Sequence, residues 1–106
     1  MELKELIKRA TEIRESYKLL EEKKYGRGWT TEEIAMGFVG DVGDLMKLIQ
    51  SYEGIRNIPD YKEKLAHELA DCLWSIIIIA NEVNIDLESS FVKTMGDLET
   101  SIQQKL

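Results

Sequence analysis

Four stretches of this sequence place apolar residues at helical spacing, with little chain between them. Leu3, Leu6, Ile7, Ala10, Ile13, Tyr17 and Leu20 recur every three or four residues, which predicts a helix from about Glu2 to Lys24. Tyr25-Gly26-Arg27-Gly28-Trp29 breaks it. Thr30 followed three residues later by Glu33 is a capping-box signature, so a second helix is expected to run to about Tyr52. Gly54 to Pro59 forms the next connection, and Asp60 with Glu63 predicts a second box opening a third helix that reaches about Val83. Asn84 can end that helix, and Asp86 caps a fourth carrying Leu87, Phe91, Met95, Leu98 and Ile102. Ile76 to Ile79 favour strand by propensity, but they sit inside a longer helical pattern, and the longer signal decides. Short connections between long helices predict an all-α, antiparallel four-helix bundle.

A chain of 106 residues fits one domain, spanning 1–106. A domain of this size buries a modest share of its surface, so completion of the core by a second copy is expected. On helix 3 the core stripe is read as Leu65, Leu69, Ile76, Ala80 and Val83. The net charge of −6 offers no footprint for a nucleic acid polymer or an anionic membrane. A polyanionic ligand would need a metal to mask the repulsion. The apolar run from Leu73 to Ala80 is too short to span a bilayer, no signal peptide is read, and one cysteine, Cys72, suits a reducing cytoplasm.

Two pairs of acids stand out: Asp41 with Asp44 on helix 2, and Glu68 with Asp71 on helix 3. Each pair is spaced i, i+3, so its members project from one side of their helix. Acids at this spacing are common and most are solvated, which is the plain alternative. The surroundings argue otherwise, because Ile34, Phe38, Leu45 and Leu48 share a face with Asp41. A carboxylate inside an apolar stripe needs a cation or a proton. Facing carboxylates on two helices make a site for a hard cation such as Mg²⁺, with Mn²⁺ as a substitute. Such ions clamp a phosphate and generate a hydroxide. No Ser/His/Asp arrangement competes, and one cysteine cannot build a thiolate zinc site.

At these residues the chain resembles the MazG-type all-α nucleoside triphosphate pyrophosphohydrolases. That family carries E-x-x-E on one helix and E-x-x-D on the next. Here the first motif is Val39-Gly40-Asp41-Val42-Gly43-Asp44-Leu45 and the second is Glu68-Leu69-Ala70-Asp71. Ala80-Asn81-Glu82-Val83-Asn84-Ile85-Asp86-Leu87 is similar to the family's entry into its last helix, and Trp29 matches a tryptophan common ahead of helix 2. The resemblance implies hydrolysis of a (deoxy)nucleoside triphosphate to monophosphate and pyrophosphate, with Mg²⁺ held by Asp41, Asp44, Glu68 and Asp71 as the catalytic set. It also implies a homodimer or homotetramer. The departures are an Asp-x-x-Asp in place of the glutamates, Thr94 where a lysine is common, and Leu98 where an asparagine is common. Lys93 lies beside Thr94 but about 100° around the helix. The expected substrate-binding residues are therefore Trp29, Lys47, Lys64 and Lys93, with Arg27 as another basic candidate.

Several residues carry two readings. Gly37, Gly40 and Gly43 suit close helix approach first and room for a ligand second. Trp29 either stacks on a base or staples the helix entry. Trp74 points away from the expected core stripe and reads as an interface residue, whereas His67 reads as a surface residue. For the whole chain, the alternatives to an enzyme are a non-catalytic nucleotide-sensing or protein-binding module of the same fold, and a plain structural bundle.

Overall fold

The computed structural model describes residues 2–106. Four helices account for nearly all of them: α1 Leu3–Tyr25, α2 Thr31–Tyr52, α3 Tyr61–Glu82 and α4 Leu87–Lys105. No strand occurs among the described residues.

Local chemistry sets the boundaries. α1 stops at Gly26, whose φ of +77 is open to glycine without strain and whose N–H reaches the Glu22 carbonyl. The capping box of α2 forms as expected: Thr30 Oγ1 accepts from the Glu33 N–H at 3.2 Å, and Glu33 Oε1 accepts from the Thr30 N–H at 3.1 Å. Arg27 adds a 2.7 Å bond to the same carboxylate. Its hydrogen bond, followed by that of the Thr30 backbone, pulls the Glu33 pKa down to about 2. α3 ends in a Schellman-type turn, with Asn84 at φ +59 and the Ile85 N–H returning to the Ala80 carbonyl. Asp86 caps α4 through a 3.1 Å bond from the Ser89 N–H.

The expected box at the start of α3 is not formed. Asp60 sits at φ 56, ψ 35, and its side chain makes no cap hydrogen bond. A side-chain cap typically uses an extended backbone at that residue, which the left-handed conformation of Asp60 does not supply. The connection is instead held by Ser51, whose buried Oγ accepts from the Ile58 N–H at 3.2 Å.

α2 and α3 pack antiparallel, so positions 44, 41 and 34 of α2 meet 68, 71 and 78 of α3 in turn. α1 lies against α3, and the core cluster is Ala10, Ile34, Ile77 and Ile78, joined by Ile7, Trp74, Ile79 and Leu87. This core corrects the stripe read from the sequence: Leu69, Ile76 and Val83 are exposed, whereas Cys72, Ser75, Ile77 and Ile78 are buried. α3 is apolar on two sides, and periodicity alone does not say which side the same chain covers. The side bearing Asp71, Cys72 and Ser75 turns inward. Trp74 is likewise an intramolecular residue. Its Nε1 donates to the Ala10 carbonyl at 3.3 Å, and its ring meets Tyr17 edge-on at 5.9 Å. α4 joins the rest through its first turn, buries no residue of its own, and leaves Phe91, Met95, Leu98 and Ile102 exposed.

The glycine stripe of α2 also differs from expectation. A Cβ at Gly37, Gly40 or Gly43 would meet nothing within 4 Å. Among the described residues no helix approaches closely there, and the face stays open.

Candidate functional site

The antiparallel pairing brings the two acidic motifs together. Asp41, Asp44 and Glu68 each offer a carboxylate oxygen within 4.8 Å of the other two. Glu68 and Asp71 form a second such group with His67. His67 is exposed as expected, yet its Nε2 lies 3.1 Å from Asp71 Oδ2, so it belongs to the rim of the cluster.

Electrostatics set this cluster apart. Burial raises the Asp41 carboxyl above its ordinary value, and the charges of Asp71 and Asp44 raise it further. Glu68 is raised by burial and then by Asp41, Asp71 and Asp44. Glu68 Oε2 is buried with no hydrogen-bond partner. An orphaned buried carboxylate oxygen carries a desolvation penalty that a cation or a proton would remove. The donor set is all oxygen, with one imidazole at its edge, which fits a hard divalent ion. Burial and the same acids also push up the Cys72 thiol, so it stays protonated and unreactive beside them.

Two cavities open on the cluster. One, of about 690 Å³, reaches Asp41 and Asp71 and is walled by Tyr17, Tyr25, Trp29 and Trp74. The other, of about 450 Å³, reaches Asp44 and Glu68 and carries Lys47 and Lys64. Trp29 thus stands at a cavity wall as well as at the entry to α2. Lys93 lies on α4 with its Nζ 2.8 Å from Asp97, and it lines neither cavity. Arg27 is paired with Glu33 at the cap of α2.

Sequence reasoning missed the residues that fix the aromatic wall. Arg14 and Glu21 are buried on α1, with Arg14 Nη1 donating to Glu21 Oε2 at 2.7 Å. The pair grips the backbone of Trp29 at both ends: Glu21 Oε1 accepts its N–H at 2.7 Å, and Arg14 Nη2 donates to its carbonyl at 3.2 Å. Arg14 Nε also faces Glu82 Oε1 at 3.8 Å, beyond hydrogen-bond range. The available signal was position. Arg14 and Glu21 fall on the same helical stripe as Ala10 and Tyr17.

A family model of the MazG nucleotide pyrophosphohydrolase domain matches residues 30–100. The chain belongs to the MazG family. The matched span begins at the cap of α2, contains both acidic motifs, and runs through most of α4. No curated protein and no solved structure matched the chain. MazG membership gives the chain a nucleotide pyrophosphohydrolase domain, a hydrolase class, and an all-α fold. No helix among the described residues is long and apolar enough to cross a membrane.

Proposed function

We propose that this MazG chain is a Mg²⁺-dependent pyrophosphohydrolase that cleaves a nucleoside triphosphate to monophosphate and pyrophosphate. The observation that carries this reading is Glu68 Oε2, buried without a partner among three other carboxylates. Asp41, Asp44, Glu68 and Asp71 would hold the metal, with Mn²⁺ able to substitute. When bound, the ion polarises the phosphoryl oxygens and lowers the pKa of water. The carboxylates of the cluster are the groups able to take the proton from the attacking water. Trp29, held by Arg14 and Glu21, offers a flat face to a base. The open side of α2 helps admit the substrate, since Gly37 borders the aromatic cavity and Gly40 carries no side chain beside Asp41. The exposed apolar residues of α4, together with Leu69, Leu73 and Ile76 of α3, suit burial against a second copy, as a homodimer or a dimer of dimers.

The test is pyrophosphate release from a panel of nucleoside triphosphates, with Mg²⁺ and with EDTA. Release from at least one nucleotide, abolished by EDTA, is the expected result. Cleavage that continues undiminished in EDTA sinks the metal reading, and no cleavage of any nucleotide sinks the enzymatic one.

A further inference from the structure

The two cavities that meet at the acids differ in character. The larger has four aromatic walls, Tyr17, Tyr25, Trp29 and Trp74, beside Asp41 and Asp71. The smaller has no tryptophan or tyrosine wall and carries Lys47, Lys64 and His67 beside Asp44 and Glu68. A nucleotide with its reacting phosphate at the acids has two ends to place. One is flat and uncharged, the other polyanionic. Aromatic walls suit the first, because every base presents a π-face. Ammonium groups suit the second.

We propose that Lys47 and Lys64 bind the pyrophosphate end of the substrate, and so fix the direction in which a nucleotide lies across the acids, base toward Trp29. The proposal rests on the pyrophosphohydrolase reading above. Lys47 follows Asp44 by three residues, and Lys64 precedes Glu68 by four. Each lysine therefore projects from the same side of its helix as the acid it accompanies, one from α2 and one from α3. Neither forms an ion pair among the described residues, in contrast to Lys93. Asp44, Glu63 and Glu68 border the same cavity and outnumber the two lysines. A polyanion is therefore held there only when a cation neutralises the acids.

The chemistry follows from this placement. Water oxygen bonds to the α-phosphorus as its proton passes to a carboxylate of the cluster, and the bond from that phosphorus to the bridging oxygen breaks. The electron pair stays with the departing pyrophosphate. Lys47 and Lys64 stabilise the negative charge that gathers on it, and they set apart a substrate with a phosphate tail from a monophosphate that lacks one.

The test is calorimetric binding, which does not depend on turnover. Inorganic pyrophosphate and a panel of nucleoside monophosphates are titrated, in Mg²⁺, into wild type, Lys47→Ala, Lys64→Ala, Lys47→Arg and Trp29→Leu. Each alanine variant should weaken pyrophosphate roughly tenfold, the size of one charge-assisted contact. Monophosphate affinity should stay at the wild-type value in both. Lys47→Arg should retain pyrophosphate, whereas Trp29→Leu should weaken the monophosphate and spare pyrophosphate. Wild-type pyrophosphate affinity in both alanine variants, or equal losses for pyrophosphate and monophosphate, overturns the orientation while the proposed function stands. A wild type that binds neither pyrophosphate nor any nucleotide in Mg²⁺ overturns both.

Discussion

Two groups of carboxylates are withdrawn from water in this chain, and they are balanced in opposite ways. Glu21 is 7% exposed, and its partner Arg14 is 2% exposed. Burial alone would push the Glu21 carboxyl up, but the Arg14 hydrogen bond, the Trp29 N–H and the Arg14 charge together hold it below its ordinary 4.5. At Asp41 and Glu68 no arginine or lysine answers the burial, the neighbouring acids add to its effect, and His67 offsets only a small part of it, so both carboxyls are raised. The first group is charge-balanced within the chain, although Arg14 Nε has no hydrogen-bond partner, and it serves to fix the Trp29 backbone. The second is left with a surplus of negative charge that only an added cation or proton relieves. Burial of acids is common to both; what separates the structural pair from the candidate site is a full internal countercharge.

The largest effect that can break this comparison is catalytic. Asp41→Asn keeps the shape and removes one charge, so pyrophosphate release should fall by more than the roughly 100-fold that outer-shell changes at metal sites cost. Its metal-free melting temperature should be no lower than that of wild type. Mg²⁺ at a hundredfold excess over Kd should stabilise wild type by about 2.7 kcal/mol and the variant by much less. Thermal melting with and without Mg²⁺, beside an activity assay, reads all three; wild-type turnover in Asp41→Asn defeats the site.

The same conservative change at Glu21 should behave in the opposite sense. Glu21→Gln leaves buried Arg14 with only Glu82, 3.8 Å from its Nε, as countercharge and should cost about 3 kcal/mol in urea unfolding. If Glu21→Gln and Glu68→Gln shift stability alike, the distinction between the two groups fails.

The pH dependence should carry opposite signs. For Asp41 and Glu68 the folded pKa is raised, so the folded state binds protons more tightly than the unfolded state. Metal-free protein should therefore gain stability from them as pH falls through the raised values toward the ordinary 3.8 and 4.5. For Glu21 the folded pKa is depressed, so its contribution is present above 4.5 and is lost as pH falls below that toward the depressed value. Melting in EDTA should rise on mild acidification and fall on stronger acidification. Saturating Mg²⁺ should remove the rise in wild type, and Glu21→Gln should flatten the fall.

The smallest expected effect lies beside the cluster. A Cβ at Gly40 meets nothing within 4 Å, and alanine is favoured over glycine inside a helix. Gly40→Ala should stabilise the monomeric fold by about 0.5–1 kcal/mol. A loss of stability that grows with protein concentration would instead place a second copy against this face of the uncompensated acids.

The sequence made some of this legible and concealed the rest for identifiable reasons. The box of Thr30 and Glu33 and the cap at Asp86 were readable because each is a local contact three residues long. The acids were readable because both motifs are short and their helices are amphipathic. The false box at Asp60 followed from the same local pattern, which carries no information about the left-handed backbone at Asp60. The core of α3 was misplaced because Ile76 to Ile79 make the helix apolar on both sides. Arg14 and Glu21 carried no local signal of burial; it depends on a cavity wall built by residues from three helices and the loop between the first two.

The cavity beside Asp41 has an optical consequence. The chain has two tryptophans, Trp29 and Trp74, and both border that cavity. Light at the red edge of protein absorption excites indole and leaves tyrosine dark. Emission collected this way comes wholly from the cavity wall, from one ring held by a backbone clamp and one tethered to the Ala10 carbonyl. A planar aromatic ligand entering between them changes the polarity and quenching felt by the chain's whole indole signal. The unlabelled protein is its own fluorescent indicator of occupancy, and a stopped-flow trace of it follows filling and emptying of the cavity in real time.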